Sequence, residues 1–244
     1  MRLDLFLAES GLCNSRTDAK NFILSGSVTV DGEVVKKPSY DVDASQTVTV
    51  DKSTKKYVGR GGLKLEAAIK HFGICAKDRL AIDIGASSGG FTDCLLQNGA
   101  EYVYSLDVGH SQLDIKLRND KRVGVIENFN ARYAKKSDFA KEIDIIVMDV
   151  SFISQTLIYP ACADILSGCK TMITLVKPQF EAGKKHIGKG GIVRDKNGSV
   201  IKEIMQRLDE SANSCGFMRV GFCDSPIVGG DGNREYLAIF KRNI

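Results

Sequence analysis

The stretch Leu80-Ala-Ile-Asp-Ile-Gly-Ala-Ser-Ser-Gly-Gly-Phe-Thr-Asp93 decides how this chain is read. An apolar run, Leu80 to Ile84, stops at a glycine-rich turn, and a helix-compatible segment, Phe91 to Gln97, follows. The pattern predicts a buried parallel strand, a tight turn and a helix starting at the carboxyl edge of a sheet. Open α/β sheets bind their ligands at that edge. Gly85, Gly89 and Gly90 would let the backbone turn sharply and approach a ligand where a Cβ would clash. Asp83 places a carboxylate inside the apolar run, and a buried carboxylate needs a partner. A ligand ammonium or a set of backbone donors would supply one.

Three motifs compete for the turn. The spacing G-x-x-x-G-G departs from the dinucleotide fingerprint G-x-G-x-x-G, which argues against a pyrophosphate cradle. Gly85-Ala-Ser87-Ser-Gly89 matches the G-x-S-x-G nucleophile elbow. An elbow at Ser87 needs an aspartate and then a histidine downstream, and only His110 and His186 are available. The third reading is a methyl-donor site in which the glycines cradle S-adenosylmethionine. A second apolar run, Tyr102 to Leu106, ends in Asp107, 24 residues after Asp83. A carboxylate there suits ribose hydroxyls, and the elbow has no use for it. The competing role for both acids is N-capping of the next helix. The methyl-donor reading leads.

Composition fits one large domain and a small one. The chain has 244 residues, 43% of them hydrophobic, enough for a sizeable core. No apolar run approaches the roughly 18 residues that span a bilayer, and the opening Met-Arg-Leu-Asp is no signal peptide. The seven cysteines lack C-x-x-C spacing, and Cys75, Cys94 and Cys162 sit in apolar runs, as reduced core residues of a cytosolic protein would. Three scattered histidines give no zinc pattern. Net charge is only +4, but the basic residues cluster, and clustering is what phosphate binding uses.

Residues 1–55 read as a first unit. Arg2-Leu-Asp-Leu-Phe-Leu-Ala has helical apolar spacing, and Asn14 to Ser25 reads as a capped helix stopped by Gly26. Short alternating strands follow, with a turn at Asp31-Gly32 and a last strand at Gln46–Val50. R-L-D-x-F-L, S-R-x-x-A-K, G-x-V-x-V-D-G and the K-P turn resemble the small RNA-binding domain of the ribosomal protein S-four family. That resemblance implies that Arg2, Arg16, Lys20, Lys36 and Lys37 face an RNA backbone. Residues 56–62, Lys-Tyr-Val-Gly-Arg60-Gly-Gly, read as a flexible basic linker with some phosphate affinity. Leu63 to Phe72 then reads as a helix carrying Lys64 in its first turn, where a cation opposes the helix dipole.

From residue 63 to 244 strands and helices alternate, which predicts an α/β domain with a parallel sheet covered on both faces. Strands are expected at 80–84, 102–106, 123–126, 143–148, 170–176, 217–223 and 236–240. Helices are expected at 90–98, near 111–119, and at 136–141, 155–167 and 198–215. A final hairpin closing a parallel sheet resembles Rossmann-like methyltransferases. Ile143 to Asp149 presents Asp149 at a strand end, Thr171 to Lys177 does the same for Lys177, and Glu235 stands at the start of the last strand. With Lys64 these four resemble the Lys-Asp-Lys-Glu tetrad of FtsJ-type RNA ribose 2′-O-methyltransferases.

The S-four-like unit, G-R-G-G-x-K-L, D-I-G-A-S-S-G-G-F-T-D, D-V-S-F-I-S and V-K-P-Q-F-E together resemble the TlyA family across essentially the whole chain. That family comprises bacterial ribosomal RNA (cytidine-2′-O)-methyltransferases, some named haemolysins. The resemblance implies S-adenosylmethionine as cofactor, no metal, and ribosomal RNA or a ribosomal subunit as partner. It implies cofactor contacts from Asp83, Gly85, Ala86, Ser87, Gly89, Gly90, Phe91, Asp107, Val108 and Asn130, and catalysis by Lys64, Asp149, Lys177 and Glu235. Starting at Arg2-Leu-Asp and stopping soon after the last strand, the chain looks like a short member, for which large-subunit RNA is the expected substrate. Lys177 with Lys64 nearby suits the role of base toward a ribose hydroxyl, and the two carboxylates would orient the amines. The Lys/Gly run from Phe180 to Arg194 mimics G-x-x-x-x-G-K, but Gly190 stands where Ser or Thr would hold Mg²⁺. It reads as a mobile basic loop offering Lys184, Lys185 and Lys189 to RNA, as Arg60 would. A membrane-lytic role would need amphipathic or spanning segments, and none stands out.

Overall fold

The computed structural model describes residues 1–13, 15–51, 56–168 and 170–242. They form two compact units, Met1–Lys56 and Tyr57–Ile244.

In the first unit, helices α1 (Leu3–Glu9) and α2 (Arg16–Ser25) precede three short strands, β1 (Val28–Val30), β2 (Glu33–Val34) and β3 (Val48–Val50). The Ser15 hydroxyl accepts from the Asp18 N–H at the start of α2, and Gly26 ends the helix in the left-handed region. Asp31 and Gly32 both take positive φ, the turn geometry that matches the twist of a two-residue hairpin. The sheet is antiparallel in the order β2-β1-β3. Leu3, Leu7, Phe22, Ile23 and Val28 fill its core.

The second unit contains α3 (Gly61–Phe72), β4 (Leu80–Ile84), α4 (Gly90–Gln97), β5 (Tyr102–Leu106), α5 (Ile115–Arg118) and β6 (Val123–Ile126). It continues with β7 (Ile145–Met148), α6 (Tyr159–Ile165), β8 (Thr171–Val176), α7 (Pro178–Glu181), α8 (Ser199–Ser214), β9 (Phe217–Asp224) and β10 (Tyr236–Arg242). The seven strands lie in the order β6-β5-β4-β7-β8-β10-β9, with β10 antiparallel to both of its neighbours. Period-2 alternation divides the sheet between two cores. Ile82, Ile84, Met148, Ala238 and Phe240 pack with α6 and α8, while Ala81, Val147, Leu237 and Ile239 pack with α3 and α4. Asp83 shares the parity of Ala81, so its carboxylate points toward α4.

Several expected helices are shorter than their apolar patterns. The one expected over 155–167 splits into a 3₁₀ turn at Gln155–Leu157 and α6, because Pro160 fits only the first turn of a helix. The one expected over 136–141 is a single 3₁₀ turn, Lys136–Asp138. The one near 111–119 begins only at the Asp114 cap. Cys94 and Cys162 are buried as expected, but Cys75 is exposed, since the chain leaves α3 through the left-handed Gly73 and loops outward there. Among the described residues no helix is long and apolar enough to cross a membrane, and no group of side chains could hold a metal ion.

Candidate active site

The glycine turn after β4 is built by close approach of backbone to backbone. A Cβ on Gly85, which has φ 82°, would sit 2.5 Å from the Asp149 carbonyl oxygen at the end of β7. One on Gly90 would lie 2.9 Å from the Gly62 nitrogen and 3.0 Å from the Gly59 oxygen. At both glycines the missing Cβ makes room for other parts of the chain. The expected linker 56–62 is corrected for the same reason. Tyr57 is buried, a Cβ on Gly62 would overlap its ring, and Gly61 and Gly62 already belong to α3. The Val58 N–H donates to Asp93 Oδ2 of α4 at 2.8 Å. Glycine here permits contact; it does not confer slack.

Gly85, Ala86, Ser87, Gly90 and Phe91 line a cleft of about 200 Å³ that also has Gly61, Asp149, Ser151 and Lys177 in its wall. Gly89, with φ 93°, is the buried N-cap of α4 beside it. Two carboxylates flank the turn. Asp83 is fully buried. Its Oδ2 accepts from the Thr92 N–H at 2.9 Å and the Thr92 hydroxyl at 2.7 Å, while Oδ1 has no hydrogen-bond partner among the described residues. Burial pushes this carboxyl up to about 7 against the Thr92 hydrogen bonds, and the charge of Asp149 adds to the rise. Asp107, just past β5, accepts from the Ser87 N–H at 2.7 Å and the Gly109 N–H at 2.8 Å. The Phe129 N–H donates to the Asp107 carbonyl, which brings the Asn130 loop beside Asp107 and the exposed Val108. Asn130 accepts from the Arg132 N–H at 3.1 Å, so its side-chain oxygen also caps the following 3₁₀ turn. A fixed carboxylate with spare lone pairs, a buried carboxylate oxygen lacking a donor, and a cleft lined by the turn they flank fit a ligand carrying ribose hydroxyls and an ammonium.

The four tetrad candidates form two ion pairs. Lys177 Nζ lies 2.6 Å from Asp149 Oδ1, close enough for the charges but not aligned as a hydrogen bond, and it donates to the Ser151 hydroxyl at 2.9 Å. Lys64 Nζ donates to Glu235 Oε2 at 2.5 Å, with both side chains at most 10% exposed. Asp149 and Lys177 stand at the ends of adjacent strands, and Gly61, one turn before Lys64 on α3, is 3.8 Å from Asp149 Oδ2 at its Cβ position. The Cβ position of Gly229 is only 2.6 Å from Glu235 Oε1, so a side chain there would have to displace that carboxylate. Lys177 and Asp149 reach the cleft; Lys64 and Glu235 are not part of its wall.

Ser87 has no histidine partner: His110 pairs with Ser111, and His186 faces Glu203. The elbow motif is therefore not assembled as a hydrolase.

Among the expected RNA contacts, Arg2 and Arg16 both clamp the buried Asp4, with Nε atoms 3.0 Å from its two oxygens. The Arg2 hydrogen bond leads in holding Asp4 down at about 2. Each guanidinium is about half exposed, so outward N–H groups remain for phosphate. Lys20, Lys36 and Lys37 are exposed. Arg60 donates to the Val228 carbonyl at 2.9 Å. Lys185 is exposed, while the side chains of Lys184 and Lys189 lie outside the described residues. The segment expected as a mobile loop is a bonded hairpin: Ile187 bridges Val193, and Asn233 bonds to it. The sequence reading passed over Ser151, Asn233 and Phe152. Phe152 is 91% exposed at φ 63°, its ring 4.9 Å from Phe180. A bulky residue at positive φ on a site's rim is where function is sought, and an exposed aromatic face is what nucleobase stacking uses.

Residues 57–242 match the family described as FtsJ-like methyltransferase, and residues 1–48 match the S4 domain. Hemolysin A of Brachyspira hyodysenteriae is 46% identical over 242 residues, 98% of this chain and 99% of the relative. The 16S/23S rRNA (cytidine-2′-O)-methyltransferase TlyA of Mycobacterium tuberculosis is 39% identical over 236 residues, 96% of this chain and 87% of the relative. A solved structure of a hemolysin-named protein from Streptococcus thermophilus superposes with TM-score 0.79 at 43% identity, covering 100% of this chain and 88% of the other.

Proposed function

The chain belongs to the TlyA/hemolysin family of S-adenosylmethionine-dependent rRNA methyltransferases, and from that premise we propose that it methylates the ribose 2′-hydroxyl of a cytidine in ribosomal RNA through the Lys177–Asp149 pair. The observation that carries this reading is the pair's place in the cleft wall opposite the glycine turn.

When bound, S-adenosylmethionine supplies an electrophilic methyl group. Asp107, held by the Ser87 and Gly109 N–H groups, would accept from the donor's ribose hydroxyls. The partnerless Oδ1 of Asp83 would accept from its ammonium. Ala86 and Phe91 shape the cleft, with Val108 and Asn130 beside Asp107. Once Lys177 has released its ion-pair proton to solvent, its neutral Nζ is the group placed to take the proton from the 2′-oxygen, and the ammonium so formed stabilises the developing negative charge. Asp149 and the Ser151 hydroxyl fix that nitrogen. Glu235 fixes Lys64 at the buried end of the tetrad, and Phe152 offers a stacking face for a nucleobase. The first unit supplies RNA affinity through its arginines and lysines and takes no part in the chemistry. Acting on ribosomal RNA, the enzyme would work in the cytoplasm.

The test is product analysis. Large-subunit RNA from a strain lacking the enzyme, incubated with the protein and S-adenosylmethionine, should give 2′-O-methylcytidine on nuclease digestion and mass spectrometry. Methyl found only on a base would overturn the assignment.

A further inference from the structure

Residues 186–194 form a small hairpin. The Gly188 N–H donates to the Ile192 carbonyl at 2.7 Å and the Arg194 N–H to the His186 carbonyl at 2.9 Å, around the Ile187–Val193 bridge. The Val193 N–H points outward and donates to Asn233 Oδ1 at 2.9 Å, and Asn233 Nδ2 donates to the Gly191 carbonyl at 3.0 Å. Asn233 is 3% exposed. Bonding the carbonyl of residue 191 and the N–H of residue 193 is what a parallel strand neighbour does across residue 192. A side-chain amide, with one acceptor and one donor end, can imitate that neighbour; Asp, Leu or Ser cannot.

The same residue shapes the tetrad's other edge. The Asn233 carbonyl accepts from the Gly229 N–H at 2.8 Å, closing the turn in which Glu235 lies against Gly229. Only Arg234 separates Asn233 from Glu235. Lys185, just before the hairpin, and Arg194 at its end are exposed, and Arg194 lies across Gly188, whose Cβ would be 2.6 Å from Nε. The hairpin is thus a cationic surface tied by one buried amide to the turn that carries Glu235.

We propose that Asn233 is a positioning residue, locking the basic hairpin to the Glu235 turn so that RNA phosphates held by Lys185 and Arg194 stand in fixed register with the Lys64–Glu235 pair. The inference rests on the proposed transfer to RNA, and Asn233 itself touches neither RNA nor the reacting atoms.

Two variants in the full chain test it. Asn233→Ala removes both bonds. Val193→Pro removes the hairpin's N–H donor and leaves the Glu235 turn intact; Ile192, at φ −82° and ψ 129°, already has the conformation required before proline. The measurements are affinity for transcribed large-subunit RNA across a salt series, kcat and KM for methyl transfer, calorimetric affinity for S-adenosylmethionine, and amide exchange at Val193 and Arg194. Asn233→Ala should expose both amides to exchange and Val193→Pro the remaining one at Arg194, and both variants should weaken RNA binding by about tenfold. Both should flatten the salt dependence by about one to two phosphate contacts, raise KM for RNA and leave methyl-donor affinity unchanged. Wild-type RNA affinity and salt slope in either variant would overturn the proposal. A parallel loss of methyl-donor affinity would also overturn it, by making the role of Asn233 general to the fold. If the unaltered protein fails to methylate ribose, the functional reading falls, while the RNA-affinity measurements still decide the role of Asn233.

Discussion

Replacing Lys177 by alanine removes one ammonium from a pair whose side chains are 13% and 20% exposed. Two separable losses are expected. Breaking a fully buried pair costs about 3–5 kcal/mol, and an exposed one at most about 1. Asp149 stays one-fifth exposed, so the stability loss should fall between, at about 1–3 kcal/mol. For a domain of this size that lowers Tm by several degrees and leaves it folded at 25 °C. The rate loss should be larger. Proton transfer by a placed side chain is worth about 10²–10⁴ in rate, or roughly 2.7–5.5 kcal/mol at 1.36 kcal/mol per decade. Single-turnover transfer of labelled methyl to ribosomal RNA reads the second loss. Calorimetry with S-adenosylmethionine and binding of the RNA show that neither ligand is lost. Lys177→Arg separates charge from proton chemistry, because guanidinium can pair with Asp149 but does not give up its proton near neutral pH. The Arg variant should be nearly as slow as the Ala variant while regaining most of the stability. An Arg variant turning over within a few-fold of the unaltered enzyme would refute Lys177 as proton acceptor, and an active Ala variant would remove it from the mechanism.

Asp83 gives a pH prediction. Its carboxyl titrates at about 7 in the fold, against about 3.9 unfolded, so the folded state holds the proton more tightly. Its contribution to stability is fully present below about pH 4 and is lost as pH rises toward 7. The ligand-free Asp83→Asn variant should gain thermal stability over the parent at pH 7.5, and the gap should narrow by pH 5 and close below about pH 4; a gap that widens on acidification contradicts the burial argument. Affinity for S-adenosylmethionine should rise from pH 6 to 8 in the parent, and that rise should vanish in Asp83→Asn. Gly62→Ala should lower Tm by several degrees, since a Cβ overlaps the packed Tyr57 ring and overpacking costs about 1–3 kcal/mol; an unchanged melting curve would restore the flexible-linker reading. A chain beginning at Lys56, which retains the buried Tyr57, should bind the methyl donor but lose most of its salt-sensitive RNA affinity. Undiminished RNA binding would move the main contact to the hairpin at 186–194.

The family and its chemistry were legible because they are written in local patterns. The strand-turn-helix at 80–97 needs only an apolar run, glycines and a helix former, and β4 and α4 fall there. The carboxylates at 107 and 149 and the lysine at 177 were found because strand ends are marked by where apolar runs stop. Helix lengths at 115–118 and 159–165 were less legible. A short helix is decided by a cap such as Asp114 or a proline such as Pro160, not by apolar periodicity.

By itself, then, the sequence determined the order of strands and helices, the two units and the residue types brought to one sheet edge, because each depends on neighbours a few positions away. Only the tertiary structure decided which lysine meets which carboxylate: Lys64 with Glu235, across 171 residues, and Lys177 with Asp149. It also turned Gly59 to Gly62 from an apparent hinge into a packed seam against Gly90 and Tyr57, and the loop after α7 into a hairpin held by Asn233. A glycine that allows motion and one that allows contact have the same letter and the same local propensity. What separates them is the atom standing where the Cβ would be, and that atom comes from a segment far away in the chain.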